Sequence, residues 1–230
     1  MFMYEDSRLR SLTLTGTMTV NYYAKLEHVD VVGPEFGGSY PPIININTPY
    51  YYYEPIPRAP RGVLRDVRIV PRGYSAVVIG VGMSRAWLFK DVAVVLSDTA
   101  SPWANYVGLH SWGSDISIDG LTVAFAINPL YGPNPYMMGI QAIGGTLNVR
   151  NSTIDAPTGV SVSNGATVTI DSSQVNAVAA VTGENGGFGG GTVFVGGSKV
   201  IGSVSNTPPL SATCVASYNG SYVALSNTCQ

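Results

Sequence analysis

The sequence predicts an all-β solenoid, a stack of short strands joined by bends, and three observations carry that prediction. Eight copies of one pattern run along the 230 residues: a bulky apolar residue, two polar or small residues, then two inward positions separated by one outward position. They read LRSLTL at Leu9–Leu14, LEHVDV at Leu26–Val31, LRDVRI at Leu64–Ile69, FKDVAV at Phe89–Val94, IDGLTV at Ile118–Val123, VRNSTI at Val149–Ile154, IDSSQV at Ile170–Val175 and VGGSKV at Val195–Val200. Their starts lie 17, 38, 25, 29, 31, 21 and 25 residues apart, as expected of a minimal unit of roughly 20 residues with insertions of varying length. Composition agrees: 27 Gly, 15 Pro, 45% hydrophobic and only 11% charged residues, with long helix formers scarce.

Within each motif, inward and outward residues alternate with period two on either side of a two-residue corner. A 3.6-residue period would scatter the same apolar positions around a cylinder, so the unit is strand, bend, strand. Neighbouring units share one register. MGIQAIGGTLNVRNSTIDAP at 138–157 aligns with TGVSVSNGATVTIDSSQVNA at 158–177, placing Ile140 on Val160 and Ala142 on Val162. One residue of slip later, Leu147, Val149 and Ile154 fall on Val168, Ile170 and Val175. Gly108–Val123 fits the same columns. A sandwich or jelly roll is the alternative all-β reading, but it needs no such register.

These motifs resemble the right-handed parallel β-helix, or pectin-lyase-like, superfamily over residues 9–200. The resemblance implies a right-handed parallel β-helix of about eight coils. It is carried by a generic coil pattern, so it implies fold far more than function. The expected organisation is a solenoid over 1–205, with a Pro/Tyr-rich insertion at 33–62, and a C-terminal capping hairpin over 206–230. Cys214 and Cys229 bound CVASYNGSYVALSNTC, whose central Asn219-Gly220 is a strong hairpin signal. That composition suits an exported chain, so a disulfide between the two is expected. The tail also resembles the Cys-bounded ends of uncharacterised bacterial β-helix proteins.

The insertion holds seven Pro and six aromatic residues, including Tyr50, Tyr51, Tyr52 and Tyr53. Shorter loops carry Trp103, and Tyr131 with Tyr136. Tyr and Trp offer a flat apolar face with a hydrogen-bonding edge, the chemistry of sugar and protein recognition. These seven residues are the candidate ligand contacts.

The superfamily resemblance also implies polysaccharide lyases and hydrolases, which need acids close together on an outer face. Asp66 and Asp91 occupy the same corner slot in successive motifs, about 5 Å apart at the interstrand spacing, with Arg65 and Arg68 nearby. They are the candidate catalytic residues. Against this role, Asn, Ser and Gly fill the slot elsewhere, as a corner requires, and the superfamily's Asn-x-Asp, Asp-Asp and Gly-His-Gly signatures are absent.

A net charge of −2 gives no electrostatic footprint for nucleic acid. No apolar run is long enough to span a membrane, and two distant His with two Cys give no metal-ligand spacing, so neither metal nor cofactor is expected. Met1–Arg10 lacks the pattern of a signal peptide, so export is expected by another route or with a leader outside this sequence. The expectation is an extracellular, cell-surface or virion protein of adhesin or tail-spike type that binds a glycan or protein receptor. The short stretch before the first motif also suggests a homo-oligomer, either a trimer or an end-to-end stack.

Overall fold

A computed structural model describes residues 1–3, 7–21, 24–34, 42–47, 62–72, 75–85, 87–96, 105–125, 137–183, 189–205 and 210–230. These residues form seventeen β-strands, and no helix occurs among them. In chain order the strands are Phe2–Met3 (β1), Arg8–Thr15 (β2), Met18–Asn21 (β3), Lys25–Val32 (β4), Ile44–Asn47 (β5), Gly62–Val70 (β6), Ser75–Gly82 (β7), Trp87–Val95 (β8) and Asn105–Ala124 (β9). They continue with Met138–Arg150 (β10), Thr153–Asp155 (β11), Thr158–Ser163 (β12), Thr167–Asp171 (β13), Gln174–Gly183 (β14), Thr192–Gly196 (β15), Lys199–Val204 (β16) and Ser211–Val215 (β17).

Every ladder between these strands is parallel, and the ladders sort into three columns that the chain visits in turn. The first column holds the leading halves of β2, β4, β6 and β8, then the middle of β9, the end of β10, and β13, β15 and β17. The second holds the trailing halves of β2, β4, β6 and β8, the end of β9, β11 and the starts of β14 and β16. The third is β1, β3, β5, β7, the starts of β9 and β10, β12 and the ends of β14 and β16. One level of all three columns is called a tier below.

The register is the one the sequence motifs give. Leu9, Leu26, Leu64, Phe89, Ile118, Val149, Ile170 and Val195 are partners along the first column. From Leu26 to Val195 these side chains are at most 2% exposed. The short 17-residue step is in register too, pairing Leu9 with Leu26 and Leu12 with Val29. Where the third column meets the interior, Gly139 is required: a Cβ there would lie 2.3 Å from Ile154 Cγ2 and 2.7 Å from the Gly159 carbonyl oxygen.

Two stretches differ from the sequence expectation. The insertion at 33–62 contains β5, which pairs with β3 and β7. Its Ile44 and Ile46 alternate inward with Asn45 and Asn47, so a strand period survives inside a Pro-rich stretch. At the other end, β17 pairs in parallel with β15 inside the stretch expected as a capping hairpin. The hairpin itself is reduced to one antiparallel bridge, Tyr218 with Ala224. Beyond it the tail folds back: the Cys214 amide donates to the Asn227 carbonyl at 3.1 Å, so the last strand's outer edge is met by the chain's own residues.

The expected disulfide is present. Cys214 extends the apolar column as the partner of Val195, and its sulfur joins Cys229 with a Cα separation of 5.1 Å.

A buried serine ladder runs beside that column. Ser152, Ser173, Ser198 and Ser217 occupy the inward slot after the corner, the slot that Leu12, Val29, Val67, Val92 and Leu121 fill in earlier tiers. Each hydroxyl donates to the carbonyl two residues back, at 2.6, 2.7, 2.7 and 3.2 Å respectively. Each also accepts an amide from the preceding tier: Leu121 N–H to Ser152, Ser152 N–H to Ser173, Ser173 N–H to Ser198 and Ser198 N–H to Ser217. Ser173→Ala is therefore expected to orphan the buried Ser152 amide and cost about 1–3 kcal/mol, read from the urea unfolding midpoint. Replacing both cysteines by Ala should cost about 3 kcal/mol in the chain-entropy picture of a loop of this length, with a matching loss when the parent is unfolded under reductant.

Burial pushes the Tyr106 hydroxyl up to about 12. The neutral phenol is thus favoured in the folded state, and its contribution to stability is complete below the unfolded value of about 10 and lost as pH rises through the folded one. Unfolding midpoints should fall between those two pH values, and Tyr106→Phe should remove that part of the fall.

Candidate functional site

The corner between the first and second columns has one backbone solution throughout. Ser11, His28, Asp66, Asp91, Asn151, Ser172 and Ala216 have φ between 49° and 55°, with Gly120 and Gly197 at 84° and 53°. Asp66 and Asp91 therefore hold their slots in a left-handed turn, a conformation Asp and Asn tolerate better than other non-Gly residues. Their tiers are adjacent, since Arg65 pairs with Lys90 and Val67 with Val92. Asp66 Oδ2 is engaged by His28 Nδ1 at 2.6 Å, an exposed pair. Among the described residues, no group of three His, Cys, Asp or Glu side chains is placed to hold a metal ion.

The outward slot just before the corner carries charge of both signs: Arg10, Glu27, Arg65, Lys90, Asp119, Arg150 and Asp171 are successive partners, with Arg65 beside Lys90 the one like-charged step. Glu27 stands apart. Its side chain is only 6% exposed and is enclosed by guanidinium groups. Glu27 Oε2 accepts from Arg8 Nε at 2.7 Å and from Arg10 Nε at 2.6 Å, while Arg65 Nη1 lies 3.7 Å from Oε1. Arg65, a candidate from the sequence, is thus held by Glu27, and Arg68 faces Asp30 across the ladder of the second column. Glu27 itself carries no sequence signal, because its burial comes from arginine side chains on neighbouring strands.

The third column offers a different surface. Trp112 lies on its outward face and is 53% exposed. Its partners in adjacent tiers are Gly82 and Ile143. A Cβ at Gly82 would meet open space, so nothing on that residue covers the indole. Two positions earlier, His110 pairs with Gly80 and Gln141 on the same face. Met83, 43% exposed, adjoins Trp112 through a 2.7 Å amide-to-carbonyl bond. Three residues beyond Trp112, Asp115 pairs with Arg85 at 3.1 Å. An exposed indole beside a bare glycine, with imidazole, amide, carboxylate and guanidinium groups close along the chain, suits a ring with an apolar face and hydroxylated edges.

The seven aromatic candidates, Tyr50, Tyr51, Tyr52, Tyr53, Trp103, Tyr131 and Tyr136, lie outside the described residues. Their attachment points are described. The tyrosine run follows Asn47, whose partner is Gly82, itself the partner of Trp112. The segments with Trp103 and with Tyr131 and Tyr136 precede β9 and β10, at the opposite end of the same column. Trp112, which the motif pattern passes over, sits in the column that these segments flank.

The tail adds one aromatic pair. Tyr218 stacks on Tyr222 at 5.3 Å and 17°, and Lys199 Nζ lies 4.5 Å from the Tyr222 ring centre. These contacts fix the tail against β16. No helix among the described residues is long and apolar enough to cross a membrane.

Comparison of the chain with protein-family models, with curated proteins and with solved structures finds no match.

The corner geometry makes a direct prediction. Asp91→Gly should leave stability within a few tenths of a kcal/mol, whereas Asp91→Val, a β-branched residue forced to positive φ, should cost about 1–2 kcal/mol or more. Thermal unfolding of the two variants distinguishes a corner residue from one whose carboxylate matters.

Proposed function

We propose that the chain is a right-handed parallel β-helix acting as an extracellular recognition module, at a cell surface or on a virion, that binds a glycan receptor on the outer face of its third column. The continuous parallel register through three columns supports the solenoid reading. The disulfide supports an oxidising environment.

The observation that carries the receptor reading is Trp112, a half-exposed indole on a regular strand with Gly82 beside it. A large aromatic side chain left in water on a sheet has no stabilising role in the interior. It gains when a sugar ring stacks on it while His110 and Gln141 meet hydroxyl groups. The tyrosine-rich segments attached at both ends of this column would extend the contact area. Binding is preferred to cleavage because the strongest acidic pair from the sequence serves the corner, with Asp66 already hydrogen-bonded by His28.

A glycan array probed with the parent and with Trp112→Ala tests this. The parent should bind a restricted set of glycans without releasing reducing ends, and Trp112→Ala should weaken that binding about tenfold or more, the loss typical of a central aromatic anchor. Equal binding by the two proteins, or cleavage of the bound glycan, would refute the proposal.

A further inference from the structure

We infer that Arg8, Arg10 and Arg65, fixed by the buried carboxylate of Glu27, form an anion site for a sulfate ester on a polysaccharide. The inference rests on the reading of this chain as a glycan-recognising protein, and adds to it a second site on a different column.

A carboxylate withdrawn from water needs one positive partner and good hydrogen bonds. Glu27 has three guanidinium groups around it among the described residues, and two of them converge on the same oxygen. Among the described residues, three positive charges around one negative leave the cluster with an excess of two, and close like charges are unfavourable. Stability accounts for the two arginines that hydrogen-bond the buried carboxylate, but not for Arg65, which adds charge 3.7 Å away without a hydrogen bond. A binding site does, as a third donor beside two arginines anchored through one edge of the planar fork, which keeps their remaining N–H groups in a set direction. Arg8, Arg10 and Arg65 have side chains 47%, 53% and 47% exposed, so Arg8 and Arg10 are hydrogen-bonded at one edge, Arg65 lies 3.7 Å from the carboxylate, and all three are open to solvent elsewhere.

Spacing and surroundings narrow the ligand. Arg8 and Arg10 are two residues apart on one strand, roughly 7 Å, and Arg65 is two ladder steps from Arg10, roughly 10 Å between backbones. All three guanidinium groups lean toward the one carboxylate between them. Three donors around a point suit a tetrahedral oxyanion with three free oxygens better than a planar carboxylate with two. The flanks carry Asp30, Asp66 and Asp91. These carboxylates would repel a nucleic acid, which presents a charge about every 1.7 Å, or a dense anionic membrane. They tolerate a sparsely charged chain such as a sulfated polysaccharide.

The test measures binding of a dextran sulfate sulfated about once per sugar, so that its charge spacing matches that of polygalacturonate, alongside polygalacturonate and uncharged dextran, by calorimetry at fixed salt. The parent should bind dextran sulfate, bind the uronate polymer about tenfold more weakly, and ignore dextran. Arg10→Ala with Arg65→Ala should lose about tenfold or more. Glu27→Gln is the decisive variant, since it raises net charge by one while removing the anchor. A diffuse basic patch would then bind dextran sulfate more tightly, whereas an anchored site binds it several-fold more weakly. Tighter or equal binding by Glu27→Gln, or no preference for sulfate, would overturn the inference. Should Glu27→Gln unfold, Arg10→Lys keeps the charge and loses the fork, and unchanged affinity in that variant would overturn it equally. The glycan array with Trp112→Ala reads the other column. Array binding by a parent that ignores dextran sulfate sinks the anion site alone, and dextran sulfate binding without array binding sinks the indole platform alone.

Discussion

The left-handed corner residue sets which side chains face inward at every tier. At nine places among the described residues, one residue between the first and second columns takes a positive φ, turning the strand without losing its place in the ladder. Because the corner consumes a single residue, side-chain parity is reset identically at every tier. The position after it points inward and the position before it points outward. The serine ladder and its apolar counterpart both occupy the inward slot, while the charged row from Arg10 to Asp171 occupies the outward one. A corner one residue longer in any tier would flip the parity of the strand after it, turning the apolar or serine slot outward and residues such as Asp30 and Arg68 inward.

This explains what was legible in the sequence. The motif and its register could be read from residues alone because they are a local pattern with a strict parity, and Ile140 on Val160 or Val149 on Ile170 followed from it. The corner role of Asp66 and Asp91 was legible for the same reason, since Asn151, Ser172 and Gly197 share their slot. The third column was harder because no single-residue corner marks it. Its strands follow insertions of any length, so β5 lay hidden in a stretch whose composition speaks of loops, and Trp112 fell between motifs. Glu27 was illegible for a different reason. Its slot is outward in every neighbouring tier, and only arginines from the two adjacent strands bury it. The cap was half legible: Asn219-Gly220 does turn the chain, but Cys214 is also the next member of the apolar column, and a motif scan that stops at Val200 misses it.

The two ends of the interior change character along the stack. In tiers up to Leu121 the slot after the corner is filled by branched apolar residues. Beyond it the same slot holds serine. The exchange keeps the backbone path, because a serine hydroxyl bonded to the carbonyl two residues back spans the bend that an aliphatic side chain would pack against. What changes is the sensitivity to substitution. An apolar slot tolerates a swap of similar volume, whereas each serine satisfies an amide in the tier before it, so losing one leaves a buried donor unpaired in its neighbour.

In a parallel stack of this kind, stability rests on a limited set of positions. The inward residues and the corner residues fix the fold, and their ladders pass through every tier, so outward residues of the first and third columns are under little structural demand. Gly82 beside Trp112, and three arginines around Glu27, both depart from what a merely soluble surface needs: a bare glycine leaves an indole uncovered, and surplus guanidinium groups raise local repulsion. The proposed glycan sites would explain both departures, with a ligand as the missing partner. Their placement on different columns, one apolar and flat, the other cationic and forked, is what a surface reading two features of one extended chain would require.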